Sequence, residues 1–158
     1  MYIISIQLRR ERMLLLLILL GSFTAAEKVN CNCTAISLEQ RLCLGSYVSH
    51  VVSRGEDVSL RTHYLRVYTV EHKKVYKNSS ELPTKIVTTQ KCGIKLRNGT
   101  EYLIGAWYTD YANHGLYIVK CDLRKKWNNV TEEDRDKLEK YYSSNYTCPE
   151  PVEYEDDF

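Results

Sequence analysis

The sequence predicts a mainly β protein, a small closed barrel of five strands of the OB type flanked by short helices. Three observations predict this fold class: five β-rich segments separated by turn signals, a helical pattern near the C-terminus, and six cysteines that all follow a hydrophobic N-terminal stretch. Closure into a barrel is the economical arrangement, because it leaves no unpaired edge strand. The 158 residues suffice for one domain with its own core.

The first 26 residues have the pattern of a secretory signal peptide. Three arginines precede the apolar run Met13–Leu20, and small residues follow it up to Ala26. The run is shorter than the about 20 residues that a membrane-spanning helix needs, so we predict no membrane insertion. We expect cleavage after Ala26, or as late as residue 30, and a secreted, extracellular domain over residues 27–148.

The charge of the mature chain excludes one class of partner. Without residues 1–26, the chain has 19 lysines and arginines and 19 aspartates and glutamates, so it is close to neutral. A nucleic-acid-binding protein needs a positive surplus to displace counterions from phosphates. We therefore expect no nucleic-acid partner. Residues 149–158 form an acidic tail, punctuated by proline, that we expect to be disordered.

The stretch Cys31-Asn32-Cys33 organises the rest of the chain. Two cysteines one residue apart cannot bond each other without severe strain, so each must reach a distant partner. An even number of cysteines in an exported chain implies three disulfides, although six cysteines allow 15 pairings and their spacing does not choose among them. The six are Cys31, Cys33, Cys43, Cys92, Cys121 and Cys148. No Cys-x-x-Cys or His-Glu-x-x-His motif is present, so we expect no metal or cofactor of its own.

The first half of the domain predicts one short helix and three strands. Ser37 is a suitable N-cap for a helix that ends near Cys43. Tyr47–Ser53 is rich in β-formers and ends at a turn signal, and Leu60–Tyr76 is the longest β-like stretch. The third strand, Thr84–Thr89, follows a proline.

The second half predicts two more strands and a helix. Asn98-Gly99 is a hairpin signal ahead of the strand Thr100–Gly105, and a turn at Asn113–Gly115 leads to the strand Leu116–Cys121. Thr131 is the predicted cap of the last helix, with an aspartate three residues on. The apolar stripe of this helix consists of Leu138, Tyr141 and Tyr142. The residues that we assign to the core of the fourth strand are Tyr102, Leu103 and Ile104.

From Cys31 to Cys148 the chain resembles the tissue inhibitors of metalloproteinases, in their N-terminal, netrin-like domain. The resemblance lies first in the spacing of the six cysteines, with Cys-x-Cys at the start and a third cysteine ten residues after Cys33. The other matching motifs are Cys92-Gly93-Ile94-x-Leu96 leading into Glu101–Ile104, and Cys121-Asp122 with Trp127 and Leu138 before the last cysteine. The resemblance implies an OB-fold barrel in a single-domain form.

The resemblance also implies a disulfide pairing and a function. The implied disulfides are Cys31–Cys92, Cys33–Cys121 and Cys43–Cys148. The implied function is inhibition of secreted or membrane-anchored zinc metalloproteinases, without catalysis: the α-amine and carbonyl oxygen of the first cysteine chelate the protease zinc, which is the only metal involved. The residues expected to contact the protease are Cys31, Asn32, Cys33, Thr34, Ala35, Thr88, Thr89, Gln90 and Lys91.

Two features depart from the family pattern and keep a second hypothesis open. Cleavage after Ala26 leaves four residues, Glu27–Asn30, ahead of Cys31, whose amide nitrogen would not chelate zinc. Asn32 stands where the family has a small residue, and Asn32-Cys33-Thr34 is a glycosylation sequon whose glycan would not fit an S1′ pocket. The alternative is a non-inhibitory netrin-like module that contacts extracellular matrix or cell-surface partners. A dithiol-exchange enzyme is disfavoured because the family pattern uses all six cysteines.

The chain has a high density of glycosylation sequons. We expect some of them to carry surface glycans in a secreted protein. The five candidate asparagines are Asn32, Asn78, Asn98, Asn129 and Asn145.

Overall fold

The computed structural model of the chain describes residues 30–33, 36–77, 81–142 and 148. The described residues from Cys31 onward form one compact unit. The strands are β1 (Tyr47–Glu56), β2 (Leu65–Lys77), β3 (Lys85–Thr89), β4 (Glu101–Tyr108), β5 (Leu116–Tyr117) and β6 (Arg124–Lys126). The α-helices are α1 (Leu38–Leu44) and α3 (Glu132–Tyr142). Between them, α2 (Tyr111–His114) is a single turn that contains left-handed residues, and 3₁₀ turns cover Val58–Leu60 and Trp127–Asn129. The predicted signal peptide and acidic tail lie outside the described residues.

Five of the strands close into a ring. β1 pairs with both β2 and β4, β2 pairs with β3, and β5 joins β3 to β4. All of these pairs are antiparallel except β3 with β5. The short β6 adds to β4 outside the ring, opposite Tyr102–Ile104. The predicted five-stranded barrel with short flanking helices is confirmed.

Both predicted helix caps are present. The Ser37 hydroxyl accepts a hydrogen bond from the Gln40 N–H, and the Gln40 side chain accepts one from the Ser37 N–H. At α3, the Thr131 hydroxyl and the Asp134 carboxylate exchange hydrogen bonds with each other's backbone N–H in the same way. Each reciprocal pair satisfies donors that a helix N-terminus otherwise leaves unpaired.

Three elements differ from the sequence prediction. The Asp57 side chain accepts from the Ser59 N–H and turns Val58–Leu60 into a 3₁₀ segment, so β2 begins later than predicted. β5 ends at Tyr117, because the Val119 N–H donates to the Asp122 carboxylate and not to a neighbouring strand. The Asn98-Gly99 turn forms, but the residues before it are not a strand, so it is no hairpin.

β4 is buried on both faces, which explains its nearly continuous apolar run. Tyr102 and Ile104 face a core cluster inside the barrel, together with residues of β2, β3 and β5. Leu103 points the other way, into a second cluster with Leu42 of α1 and Leu138 of α3. The prediction that these residues of β4 form core is confirmed, and the two helices cover the outside of the barrel.

Candidate functional site

Two disulfides bring three chain segments together into the surface that we call the ridge, residues 31–33, 88–92 and 119–121. Cys31 is bonded to Cys92 and Cys33 to Cys121, with Cα atoms 5.8 and 5.2 Å apart. Both distances lie within the ordinary range for disulfides. The third disulfide, Cys43–Cys148, joins α1 to the chain beyond α3. These are the three pairs that the family resemblance implies.

The first segment of the ridge faces solvent. Asn32 and Cys33 are exposed and Cys31 is partly exposed. Because each cysteine is bonded to a separate loop, the residue between them is presented on a short, doubly anchored bridge. Thr34 and Ala35, which were also expected to contact a protease, lie outside the described residues.

The second segment places Thr88 differently from the other expected contact residues. The Thr88 side chain is fully buried, and its hydroxyl accepts a hydrogen bond of 2.9 Å from the Ile94 N–H. The Thr88 side chain therefore holds the loop from inside, and the protease contact expected of this residue stays a prediction. Thr89 is half-buried, and its hydroxyl oxygen has no hydrogen-bond partner in the described part of the chain.

Gln90 and Lys91 form the solvent-facing part of the second segment. The Gln90 N–H donates to the Tyr64 carbonyl at 2.7 Å, and its side-chain Nε2 donates to the Thr62 carbonyl at 2.7 Å. Gln90 therefore ties the ridge to the β1–β2 connection, which carries the 75% exposed Tyr64. Lys91 is exposed. Sequence analysis missed Tyr64, because only the folded chain brings the β1–β2 connection beside the ridge.

A partly buried salt bridge between Lys85 and Asp57 fixes the β1–β2 connection on the barrel. The Lys85 ammonium donates to the Asp57 carboxylate at 2.6 Å and to the Thr69 hydroxyl at 2.9 Å. The pKa of Asp57 is lowered to about 2, chiefly by the hydrogen bond from Lys85 and then by one from Ser59. The Asp57 carboxylate therefore remains ionised, and attached to β3, throughout the physiological pH range.

The third segment contributes Lys120, which sequence analysis also missed. The Lys120 N–H donates to the Cys92 carbonyl at 2.9 Å, and its ammonium Nζ donates to the Cys31 carbonyl at 3.2 Å. Lys120 thus contacts both partners of the Cys31–Cys92 disulfide and precedes Cys121, the partner of Cys33. In the sequence, only the position of Lys120 next to Cys121 could have marked it as a residue of the ridge.

The ridge is electropositive and holds no metal-binding cluster. Its residues include two lysines, Lys91 and Lys120, and no carboxylate. Within residues 30–33, 36–77, 81–142 and 148, no group of three or more His, Cys, Asp or Glu side chains is arranged to hold a metal ion. In the same ranges, no helix is long and apolar enough to cross a membrane.

Three of the five candidate glycosylation sites can be located. Asn32, Asn98 and Asn129 are all exposed, on the ridge, at a turn and at the end of a 3₁₀ segment, respectively. Each is therefore accessible to a glycan. Asn78 and Asn145 lie outside the described residues.

The closed OB-type barrel, with an N-terminal Cys-x-Cys bonded to two separate loops, defines a netrin-like domain. A scan against protein families matches tissue inhibitor of metalloproteinase over residues 29–150. The chain belongs to this family, whose members are inhibitors and not enzymes. Family membership and three disulfides are typical of an extracellular protein.

Two other comparisons give less information about the chain than the family match does. A search of curated proteins finds no match. Among solved structures, the chain is similar to the crystal structure of excretory-secretory protein 2 from Ancylostoma ceylanicum, with 17% sequence identity and a TM-score of 0.43. The alignment covers 68% of this chain and 92% of that one.

Proposed function

We propose that this protein is a secreted inhibitor of zinc metalloendopeptidases, secreted or membrane-anchored, and that it acts by chelating the catalytic zinc of the protease. The ligands are the α-amine and the carbonyl oxygen of Cys31, once this residue is the N-terminus of the mature chain. The protein supplies no metal of its own and catalyses nothing.

The observation that carries the proposal is the double anchoring of Cys31–Cys33. Disulfides to Cys92 and Cys121 hold the exposed segment against the two other parts of the ridge. A segment that is already ordered loses little conformational entropy on binding, so more of the contact energy remains as affinity. This is the property that a tight inhibitor of a protease cleft requires.

The chemistry of an N-terminal residue suits the metal. A catalytic zinc has three protein ligands and an open position that holds the attacking water. An α-amine, with a reference pKa of about 7.7–8.0, loses its proton at little cost near neutral pH and becomes a nitrogen ligand. Together with the adjacent carbonyl oxygen it displaces the water, and the protease loses its nucleophile.

The proposal predicts that the start of the mature chain decides activity. Two forms of the protein are compared, one beginning at Cys31 and one with a single alanine before Cys31, against a panel of zinc metalloendopeptidases. The extension converts the amine into an amide, which does not chelate zinc in this way, so we expect inhibition to fall by at least about 100-fold, a loss of about 2.7 kcal/mol of binding free energy. Mass spectrometry of the naturally secreted protein shows which form its cells produce.

Equal inhibition by the two forms would contradict zinc chelation by the amine. Thermal unfolding and thiol titration of both forms serve as controls, since both should show the same midpoint and three intact disulfides. A natural start at Cys31 supports the proposal, whereas a natural start at Glu27 argues that the ridge is blocked.

The second candidate function is a non-inhibitory module that binds matrix or cell-surface partners. The observation that favours it is the exposure of Asn32 within its sequon, because a glycan there would obstruct entry into a protease cleft. The mass of the Asn32 peptide decides whether the glycan is present. If it is, Thr34→Ala removes the sequon but keeps Asn32, and recovery of inhibition by this variant would show that only the glycan blocked the ridge.

A further inference from the structure

Six exposed cations lie in two segments of the chain that begin at the ridge and continue away from it, residues 91–97 and 120–126. None of the six forms an ion pair with a carboxylate of the described residues. We call the surface that they form the basic face. Its cations are Lys91, Lys95, Arg97, Lys120, Arg124 and Lys126.

The fold holds the two segments side by side. At the ridge, the Lys120 N–H donates to the Cys92 carbonyl at 2.9 Å. At the far ends, Lys126 lies opposite Tyr102 in the pairing of β6 with β4, and the Arg97 N–H donates to the Tyr102 hydroxyl at 3.0 Å. The two segments therefore start together and end together, over a length of up to about 22 Å.

Each segment directs its cations toward solvent. Lys95 and Arg97 alternate with two buried apolar residues of the barrel core. Arg124 and Lys126 are two positions apart on β6, so they project from the same side of the strand, about 6.5 Å apart. Lys125, between them, points to the other side and pairs with a carboxylate of α3. The basic face is thus an elongated surface with a row of cations from each segment.

The carboxylates that make the predicted mature chain nearly neutral lie mostly on other surfaces. Residues 91–97 contain no carboxylate, and the one within 120–126, Asp122, accepts the Val119 N–H at 2.7 Å. Elsewhere on the domain, exposed and partly exposed cations are matched with carboxylates. Three such pairs are Arg54–Glu71, Lys74–Glu139 and Lys137–Glu39. The unpaired charge of the basic face is therefore a local feature that the net charge of the chain conceals.

The basic face has no apolar anchor for a protein or a membrane. The exposed large hydrophobic residues of the described chain all lie outside residues 91–97 and 120–126. Protein partners are held mainly by buried aromatic and apolar anchors, and membrane surfaces take up apolar side chains as well as charge. Rows of cations alone fit a linear polyanion, whose counterions are released when lysine and arginine side chains replace them. For an extracellular protein, the polyanion of this chemistry is a sulfated polysaccharide such as heparin.

We infer that the basic face is a binding site for a sulfated polysaccharide, whose sulfate groups pair with its six cations. The site requires neither a free Cys31 amine nor a protease. It goes beyond the proposed function, and its test is independent of whether the chain inhibits a protease.

The test measures the binding of the secreted chain to a heparin oligosaccharide by calorimetry, over a range of salt concentrations. With six cations on sulfate groups, we expect the logarithm of the affinity constant to fall with the logarithm of salt concentration with a slope of about −4. A variant that lacks the four cations outside the ridge should bind at least about 15-fold more weakly, because each exposed ion pair contributes roughly two- to fivefold. Its slope should be smaller in magnitude by about 3. The changes are Lys95→Gln, Arg97→Gln, Arg124→Gln and Lys126→Gln.

A second variant undergoes the same change of net charge but keeps the basic face. It replaces four cations that are paired with carboxylates elsewhere, and we expect it to bind heparin within about threefold of the unaltered chain, since charges beyond a Debye length of about 8 Å are largely screened. Its changes are Arg54→Gln, Lys73→Gln, Lys74→Gln and Lys137→Gln. Thermal unfolding and thiol titration check that both variants are folded with three disulfides.

Equal affinities of the two variants for heparin would overturn the inference, because net charge and not the basic face would then determine binding. The same oligosaccharide without its sulfate groups is a second probe, and we expect it not to bind. Binding of this probe as tight as that of heparin would also contradict the inference.

Two further measurements test other occupants of the basic face. Tighter binding at physiological salt to phosphatidylcholine vesicles that contain phosphatidylserine than to heparin would assign the face to a membrane surface. A chain shortened to end at Cys148 lacks the acidic residues 149–158. Heparin binding by the shortened chain alone would assign the face to this acidic segment of the protein itself. Either result would replace the polysaccharide as the partner.

Discussion

At the scale of single residues, the second segment of the ridge depends on a close backbone approach at Gly93. A Cβ atom added at Gly93 would lie 1.7 Å from the Thr89 carbonyl oxygen and 2.6 Å from the Thr88 hydroxyl. The first distance is far below any real contact, and the obstacle is backbone. Gly93 therefore occupies a position of close backbone approach, and this glycine allows Thr88 to hold the loop from inside.

We therefore predict that Gly93→Ala destabilises the protein by about 3 kcal/mol, because the loop that carries Gln90 and Lys91 must shift to relieve the overlap. Chemical denaturation measures the change. Gly99→Asn is a matched control: Gly99 has a φ of +71° and open space around it, and asparagine tolerates this conformation. We expect the control to cost less than about 1 kcal/mol. A Gly93→Ala variant as stable as the control would contradict the close approach.

At the scale of elements, His72 joins β1, β2 and the segment before β3. Its Nδ1 lies 2.8 Å from the Ser49 hydroxyl, and its Nε2 lies 3.0 Å from the Pro83 carbonyl. With Nε2 protonated and Nδ1 accepting from Ser49, the neutral ring satisfies both contacts. Burial lowers the pKa of His72 below its ordinary value, and the hydrogen bond to Pro83 offsets this only partly.

This burial predicts a loss of stability on mild acidification. The unfolded chain takes up a proton at this histidine near pH 6.5, whereas the folded chain takes it up only at lower pH. The free energy of unfolding contributed by neutral His72 is therefore complete above pH 6.5 and is lost as pH falls from there to the folded pKa. We expect His72→Gln to flatten this part of the curve of unfolding free energy against pH.

The control for this measurement is His63→Gln, which removes an exposed imidazole in place of the buried one. A distinct loss at lower pH is expected from Asp57 and Glu71, whose pKa values lie at about 2 because lysine and arginine side chains donate hydrogen bonds to them. An identical slope just below pH 6.5 in the unaltered chain and His72→Gln would refute the role of His72.

The turn before β5 has a conformation that local sequence signals do not predict. The predicted turn at Asn113–Gly115 exists, but Ala112, Asn113 and His114 have φ values of 58°, 57° and 65°, a short left-handed turn. Each alanine or histidine in that region costs about 1–2 kcal/mol. The turn is held by contacts, since the Tyr111 hydroxyl donates to the Leu60 carbonyl and the Gly115 N–H to the Tyr111 carbonyl. No pattern in the sequence signals this conformation.

At the scale of the whole molecule, the three disulfides have two different roles, shaping the ridge and stabilising the fold. Two of them build the ridge, and the third, Cys43–Cys148, closes a sequence separation of 105 residues between α1 and the chain beyond α3. The two helices also pack directly, because Leu42 and Leu138 are fully buried in one cluster and the Tyr141 hydroxyl donates to the Leu42 carbonyl. The third disulfide therefore reinforces packing that exists without it.

We predict that the double variant Cys43→Ala, Cys148→Ala remains folded but loses about 3–5 kcal/mol of unfolding free energy, since a cross-link over a long loop mainly restricts the unfolded chain. Denaturation of the variant and the unaltered chain measures the loss. Below its unfolding transition the variant should inhibit as the unaltered chain does, because both ridge disulfides remain. A variant that is folded but no longer inhibits would show that the ridge depends on α1.

The sequence by itself determined the features that depend on neighbouring residues. Ser37 and Thr131 cap their helices through contacts only three residues long, and the alternating and continuous apolar runs identified the strands of the ring. The cysteine spacing carried enough family information to imply the disulfide pairs, although the spacing alone left 15 possibilities.

Only the tertiary structure decided what each residue of the ridge faces. It turned Thr88 inward, placed Tyr64 beside Gln90, and brought the Lys120 ammonium to the Cys31 carbonyl, 89 positions away in the chain. The physical reason is that closure of the barrel and the disulfides set these distances. A local pattern reports which face of a strand is buried, but it holds no information about which distant segment packs against its end.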